Sequence, residues 1–262
     1  MRDQPTQARG PALVRPALLA LPPRFLPPPR RGGERAARAH VAGGEDGRRA
    51  GGGTGRNPGR ADRACGREPG LTGLRIIGGT FKGRRLVTPP GLATRPLPDR
   101  VKQSLFDWLG QRLDGLHIVD CCAGSGAFTF EALSRGAGRV DAIEPGEHAV
   151  PVLRANAAKL GNPTGLVLHA ASFQAVLPRL RDVDLVFADP PFRCYRDGAA
   201  EIAELLRLAA RALAPAGRLI IRGERGADLP GGSAKLVERE RRQYGRSWVA
   251  LLQREDRTDR DG

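Results

Sequence analysis

Methionine, cysteine and long apolar runs are all scarce in this 262-residue chain. Its one methionine is Met1. Its four cysteines, Cys65, Cys121, Cys122 and Cys194, form no Cys-x-x-Cys pair, and no histidine stands at zinc-ligand spacing from them. No metal is therefore expected, and a reduced, cytoplasmic chain is the simplest reading. No run of 18 apolar residues occurs, so no membrane-spanning helix is expected. The stretch Pro16 to Pro23 is too short and too proline-flanked for a secretory leader. No internal repeat appears. His40, His117, His148 and His169 show no catalytic pairing.

Arginine, by contrast, is abundant. The formal net charge is +15. Through Gly70 there are 14 basic against 6 acidic residues, and beyond it 29 against 22, so both parts are basic. A polyanionic partner fits that balance; a GC-rich coding bias, which favours Arg, Ala, Gly and Pro, is the competing explanation. Residues 1–70 hold Pro-Pro-Pro at 27–29, Gly-Gly-Gly at 51–53 and no sustained period. Such a segment buries too little surface to offset its ordering entropy, and disorder is expected. Three readings of it stay open: a basic arm for RNA, a targeting peptide, or upstream sequence read from a start placed too early.

Ordered patterning begins near Leu74. Two short β-like runs flank Gly78-Gly79-Thr80 and read as a hairpin carrying Arg75, Lys82, Arg84 and Arg85. Pro89-Pro90-Gly91 breaks the chain, and a helix opens at Leu97-Pro98-Asp99 and runs to about Leu109 with an apolar stripe of Val101, Leu105, Phe106 and Leu109. From His117 strand and helix patterns alternate, which predicts a parallel sheet with helices on both faces. Strands are expected near 117–121, 139–143, 166–170, 184–188 and 217–222, and helices near 126–135, 147–160, 172–178 and 198–213. Lys235 to Arg242 and Ser247 to Gln253 flank Tyr244-Gly245 and read as a closing hairpin.

Two loops at strand ends carry the chemistry. Ligands of open α/β sheets bind at that edge. The first is Asp120-Cys121-Cys122-Ala123-Gly124-Ser125-Gly126, a Gly-rich turn that lets backbone approach a ligand. A dinucleotide fingerprint wants a third glycine where Thr129 stands, which counts against NAD or FAD. Glu144 lies 18 residues past Gly126, at the next strand end, where an acid can accept from both ribose hydroxyls. Asp120 is placed for the ammonium of a sulfonium amino acid, or else caps the following helix. A ribose and an ammonium without a pyrophosphate describe S-adenosylmethionine.

The second loop is Asp189-Pro190-Pro191-Phe192. An exocyclic base amine is a poor nucleophile because its lone pair is delocalised into the ring. A carboxylate and a backbone carbonyl that accept its two N–H groups turn that lone pair towards a methyl donor. Two prolines stiffen the loop that holds the carbonyl. Phe192 offers a face for base stacking, worth about 1–3 kcal/mol per base, and a paired base must first be flipped out. An ordinary Asp-Pro turn is the alternative.

Together these strings resemble the RsmD-type 16S rRNA guanine-N2 methyltransferases. The matching residues are Arg75 to Gly79, Lys82-Gly83-Arg84, Asp99 to Lys102, Ser104-Leu105-Phe106, Asp120 with Ala123 to Ala127, Glu131 to Ala137, Asp189 to Phe192 and the Tyr244-Gly245 hairpin, within about residues 74–254. The resemblance implies a Rossmann-like, class I SAM-dependent methyltransferase with a mostly parallel seven-stranded sheet and an N-terminal β-hairpin extension. It implies S-adenosylmethionine as cofactor, methylation of guanine 966 in 16S rRNA or the small-subunit particle, and RNA contacts from the Arg75–Arg85 hairpin together with Arg95 and Arg100. The expected layout is a disordered extension over 1–70, an RNA-contacting hairpin and helix over 71–115, the methyltransferase domain over 116–255 and a disordered tail over 256–262, with a monomer as the expected state. Three positions depart from the family pattern: Cys122 for a usual Phe, Thr129 for a usual Gly, and Ala171 where an Asp or Asn often reaches the adenine amine. Backbone recognition of adenine at Ala171 is therefore expected. An adenine-N6 DNA methyltransferase and a non-catalytic rRNA-binding assembly factor are the alternatives; no DNA target-recognition domain is evident, and the retained Asp189 and Glu144 argue against the latter.

Overall fold

Short apolar runs make the central strands, and helices fill the intervals between the first five. In chain order the elements are α1 (Asp99–Leu109), β1 (His117–Cys121), α2 (Ala127–Ser134), β2 (Arg139–Ile143), α3 (Ala149–Lys159), β3 (Leu166–His169), α4 (Phe173–Val176) with a 3-10 turn (Leu177–Arg179), β4 (Val183–Ala188), α5 (Arg193–Arg196), α6 (Ala199–Ala212), β5 (Leu213–Glu224), β6 (Leu236–Tyr244) and β7 (Ser247–Arg254). The structure is a computed structural model and describes residues 74–88, 99–231 and 235–255. The extension through residue 70, the loop with Arg95 and the tail 256–262 lie outside the described residues, as does the disorder expected for the two ends.

The sheet has seven strands in the order β3-β2-β1-β4-β5-β7-β6. The first five are mutually parallel, β7 runs antiparallel to β5, and β6 pairs antiparallel to β7. The chain leaves β1 towards β2 and β3, then returns to the other side of β1 as β4. That reversal opens a crevice at the carboxyl ends of β1 and β4. Both Gly-rich and Asp-Pro-Pro-Phe loops emerge there.

Alternate residues of each central strand feed cores on opposite faces. Ile118, Leu185 and Ile220 join one core with Phe106, Phe128 and Phe130. Val119, Val186, Leu219 and Ile221 join the other with Leu205, Leu206 and Trp248. Burial on both faces explains why these strands read as continuous apolar runs. Phe128 stacks between Phe106 and Phe187, with centroids 5.6 and 4.0 Å away, and so fixes α2 beside β4 and α1.

The expected N-terminal hairpin is a shorter device than two strands. Its arms meet at a single bridge, Arg75 to Arg85, flanked by Ile76 N–H to the Arg84 carbonyl at 3.0 Å and Leu86 N–H to the Leu74 carbonyl at 2.8 Å. Gly83 N–H donates to the Ile76 carbonyl at 2.8 Å, while several groups of the turn reach α2 instead. Ile77 and Gly78 N–H each donate to the buried Glu131 carboxylate at 2.8 Å. Phe81 N–H donates to Ser134 Oγ, and that hydroxyl donates to the Gly78 carbonyl. Gly79 has φ +73°, and a Cβ there would fall 1.7 Å from the Ser134 carbonyl oxygen, so only glycine allows this approach. Buried Arg135 and Lys102 balance Glu131 at 2.9 and 3.9 Å. At the far sheet edge, Tyr244 bonds Ser104 through its hydroxyl, and Arg242 lies 4.2 Å over the Trp108 ring, fastening β6 to α1.

Candidate active site

The Gly-rich loop leaves β1 through Cys122 at φ +66°, Gly124 at φ +56° and Gly126 at φ +87°. Gly126 is required by packing: a Cβ would lie 2.3 Å from Phe130 and 2.5 Å from Leu153. Gly124 faces open space, with nothing within 4 Å of its Cβ position. Backbone here is free to meet a ligand. Glu144, at the end of β2, braces the loop: its carboxylate accepts Gly124 N–H at 2.7 Å and Gly146 N–H at 2.8 Å. A carboxylate has about four lone-pair sites, so capacity remains for a ribose diol.

Asp120 is buried and accepts both the Thr129 amide at 3.0 Å and the Thr129 hydroxyl at 2.6 Å. The position where a dinucleotide fold has glycine therefore holds the carboxylate of β1 to the first turn of α2. Burial pushes the Asp120 carboxyl up to about 7; the Thr129 bonds oppose this, while Asp189 and Glu144 reinforce it. Such a group gains from a nearby cation. Ala123 closes the turn, donating its N–H to the Ile143 carbonyl and accepting from Gly126. Ala171 is half-buried and packs against the core beneath α6.

One residue of this region was not anticipated from sequence. Asn156 of α3 is fully buried. Its Nδ2 donates to the Ser125 carbonyl and the Val87 carbonyl, each at 2.9 Å, while its Oδ1 accepts Val87 N–H at 2.7 Å. It ties the segment leaving the N-terminal hairpin to the Gly-rich loop. A lone Asn in a helix pattern carries no signal of such a role.

Asp189 follows β4, and its N–H reaches the Cys121 carbonyl at 3.5 Å, beside the first loop. Pro191 accepts the Cys194 N–H at 2.9 Å, so the loop turns at once into α5, a short helix absent from the periodicity. The carboxylate is met by Arg222 of β5, whose Nη1 lies 2.9 and 3.1 Å from its two oxygens. The same guanidinium lies 5.1 Å from the Phe192 ring centre. Tyr195 of α5 donates its hydroxyl to the Arg222 carbonyl at 2.8 Å and sets its ring edge-on to Trp248. Burial raises the Asp189 carboxyl, and Arg222 opposes that rise. Arg222 was also missed, although an arginine closing the apolar run Leu219-Ile220-Ile221 at a sheet's ligand edge was a readable hint.

The basic residues Arg75, Lys82, Arg84, Arg85 and Arg100 are all exposed. Arg75 pairs with Asp99 at 2.9 Å, which leaves Lys82, Arg84 and Arg85 as the hairpin's open cations. Arg95 lies outside the described residues.

The family described as Conserved hypothetical protein 95 matches residues 74–253. Ribosomal RNA small subunit methyltransferase D of Escherichia coli K12 is 38% identical over 120 residues, covering 46% of this chain and 61% of that protein. The aligned part thus spans about three-fifths of that relative. The Bacillus subtilis protein YlbH is 30% identical over 192 residues, covering 69% of this chain and 99% of its own length. Among solved structures, the Escherichia coli protein yhhF superposes with a TM-score of 0.60 at 34% identity, over 69% of this chain and 97% of that one. The sheet order, the crevice at β1 and β4 and these likenesses agree: the chain belongs to the Conserved hypothetical protein 95 family of RsmD-type methyltransferases and has their Rossmann-like class I SAM-dependent fold.

Proposed function

We propose that this protein transfers a methyl group from S-adenosylmethionine to the exocyclic N2 of a guanine in 16S rRNA, guanine 966 by the family resemblance, during small-subunit maturation. The observation that carries this is the juxtaposition of the two loops: the Gly-rich turn of β1 and the Asp189-Pro190-Pro191-Phe192 loop of β4 leave neighbouring strands, paired Cys121 to Ala188. Donor and target base then meet over one short gap, as transfer between bound groups requires.

The residues present fit the cofactor. The exposed backbone of Gly124, with Ala123, Ser125 and Gly126, suits close approach of its amino-acid and ribose parts. Glu144 has lone pairs left for the ribose hydroxyls, Asp120 suits the ammonium, and the chain at Ala171 suits backbone recognition of adenine. Bound S-adenosylmethionine supplies an electrophilic methyl on a sulfonium. Asp189 accepts an N–H of the target amine and stabilises the positive charge that develops there. Pro190 and Pro191 keep the loop in one conformation, and Phe192 stacks on the base. Lys82, Arg84, Arg85 and Arg100 with Arg95 and Arg75 draw in the RNA backbone. The protein acts as a cytoplasmic monomer, and no helix among the described residues is long and apolar enough to cross a membrane.

The test is tritium transfer from S-adenosylmethionine to small-subunit particles, naked 16S rRNA and DNA, followed by nucleoside analysis. N2-methylguanosine is the expected product. N6-methyladenosine, or label in DNA, overturns the reading.

A further inference from the structure

We propose that Arg222 is a positioning residue for the transfer: its guanidinium holds the Asp189 carboxylate and the Phe192 ring in a single arrangement and supplies the fixed positive charge that lets the carboxylate face the base amine ionised. This rests on the base-methylation reading and adds a residue to it.

The argument starts from position. Arg222 is one step beyond Ile221, which pairs with Ala188 in the β4–β5 register. Arg222 and Asp189 therefore leave adjacent strands side by side. One nitrogen, Nη1, spans both carboxylate oxygens at 2.9 and 3.1 Å. Each oxygen keeps a lone pair, so Asp189 can still accept from a base. The guanidinium also faces Phe192 at 5.1 Å, and an arginine is a planar, permanently charged group suited to both contacts at once. Its backbone is pinned by the Tyr195 hydroxyl at 2.8 Å, and that ring abuts Trp248. The side chain is thus anchored at its base and committed at its tip. Arg222 of β5 contacts Asp189 directly, while Asp120 of β1, Cys122 of the Gly-rich loop and Tyr195 of α5 act on it only through longer-range electrostatics. Arg222 is the one cation among these four, so its loss leaves a buried carboxylate without the charge that opposes its burial. A carboxyl so placed takes up a proton at higher pH, and a protonated Asp189 no longer accepts from the amine through that oxygen.

The experiment compares wild type, Arg222→Gln and Arg222→Lys in single-turnover methyl transfer across pH, with S-adenosylhomocysteine affinity measured in parallel. In Arg222→Gln the acid limb of the profile should move up by about one pH unit or more, a roughly tenfold loss at the acidic end that higher pH recovers. S-adenosylhomocysteine affinity should stay within about twofold. In Arg222→Lys the limb should stay near wild type while transfer falls, because the charge remains and the planar group that faces Phe192 is gone. A limb that does not move in Arg222→Gln overturns the proposal, as does a rate uniformly lowered at every pH. Faster transfer in Arg222→Gln also overturns it, since the guanidinium would then obstruct the base. If Arg222→Gln loses S-adenosylhomocysteine binding, Arg222→Lys decides: reduced transfer with an unmoved limb supports positioning, and wild-type transfer refutes it. The wild-type nucleoside product separately tests the guanine reading, while the displacement between variants tests Arg222 on whichever amine is methylated.

Discussion

Asp120 does two things that a single carboxylate rarely combines. It holds α2 to β1 through Thr129, and its burial raises its carboxyl to about 7. A carboxyl raised in the fold keeps its proton longer than in the unfolded chain, so its contribution to stability falls as pH rises from the ordinary carboxylate range towards 7. A cationic ligand reverses that, because it favours the ionised form. S-adenosylhomocysteine should accordingly bind more weakly as pH drops below about 7, by up to roughly tenfold per unit, and Asp120→Asn should flatten this dependence in calorimetric titrations. Asp189 predicts a different pattern. Asp189→Ala should abolish methyl transfer while S-adenosylhomocysteine affinity changes little. A parallel loss of affinity would place Asp189 in the framework of the cofactor loop instead.

At the scale of elements, α2 is the hub. It receives the Gly-rich loop at its start and the N-terminal hairpin along its last turns. Glu131 is the pivot, accepting two backbone N–H groups at 2.8 Å while facing Arg135 and Lys102 in a buried cluster. Glu131→Gln leaves buried Arg135 without its carboxylate, leaves Lys102 with Asp99 alone at 3.3 Å, and leaves one backbone N–H without an acceptor. Urea unfolding should show a loss of about 3–5 kcal/mol. The hairpin's outer face carries the cations proposed to meet RNA, Lys82, Arg84 and Arg85. Replacing Arg84 and Arg85 by Ala should leave the unfolding midpoint unchanged but weaken rRNA binding, with the log–log salt slope shallower by about 0.7 for each phosphate no longer neutralised. An unchanged slope would remove the hairpin from the RNA interface.

Across the whole molecule, Asp141 stitches three strands. Its buried carboxylate lies 2.7 Å from Nε2 of His117 on β1 and of His169 on β3, and accepts from Arg139 at 2.7 and 3.0 Å. Burial alone would raise this carboxyl; the bonds from His117, Arg139 and His169 outweigh it and hold it well below the usual range. A depressed carboxyl stabilises the fold above its unfolded value and loses that contribution as pH falls through the carboxylate range. The urea midpoint should therefore drop between about pH 4 and pH 2, and Asp141→Asn should start lower and decline less steeply.

Strand positions were legible in the chain itself because a parallel strand buried on both faces is mostly apolar, with a buried acid such as Asp120 or Asp141 held by hydrogen bonds; His117–Cys121 and Arg139–Ile143 fall where the apolar runs place them. The two ligand loops were legible for the same kind of reason, since Gly124-x-Gly126 and Asp189-Pro190-Pro191-Phe192 are local solutions to local problems. The N-terminal hairpin was half legible. Its alternation and its glycines are local, but the N–H groups of Ile77, Gly78 and Phe81 are satisfied on Glu131 and Ser134, over fifty residues away. Arg222 and Asn156 belong wholly to the tertiary structure. Arg222 meets Asp189 across 33 residues, and Asn156 meets Val87 across 69. Such partners are set by which strands lie side by side and which helix covers them. Periodicity says that a strand is buried, and sheet order alone decides whose side chain it meets at the ligand edge.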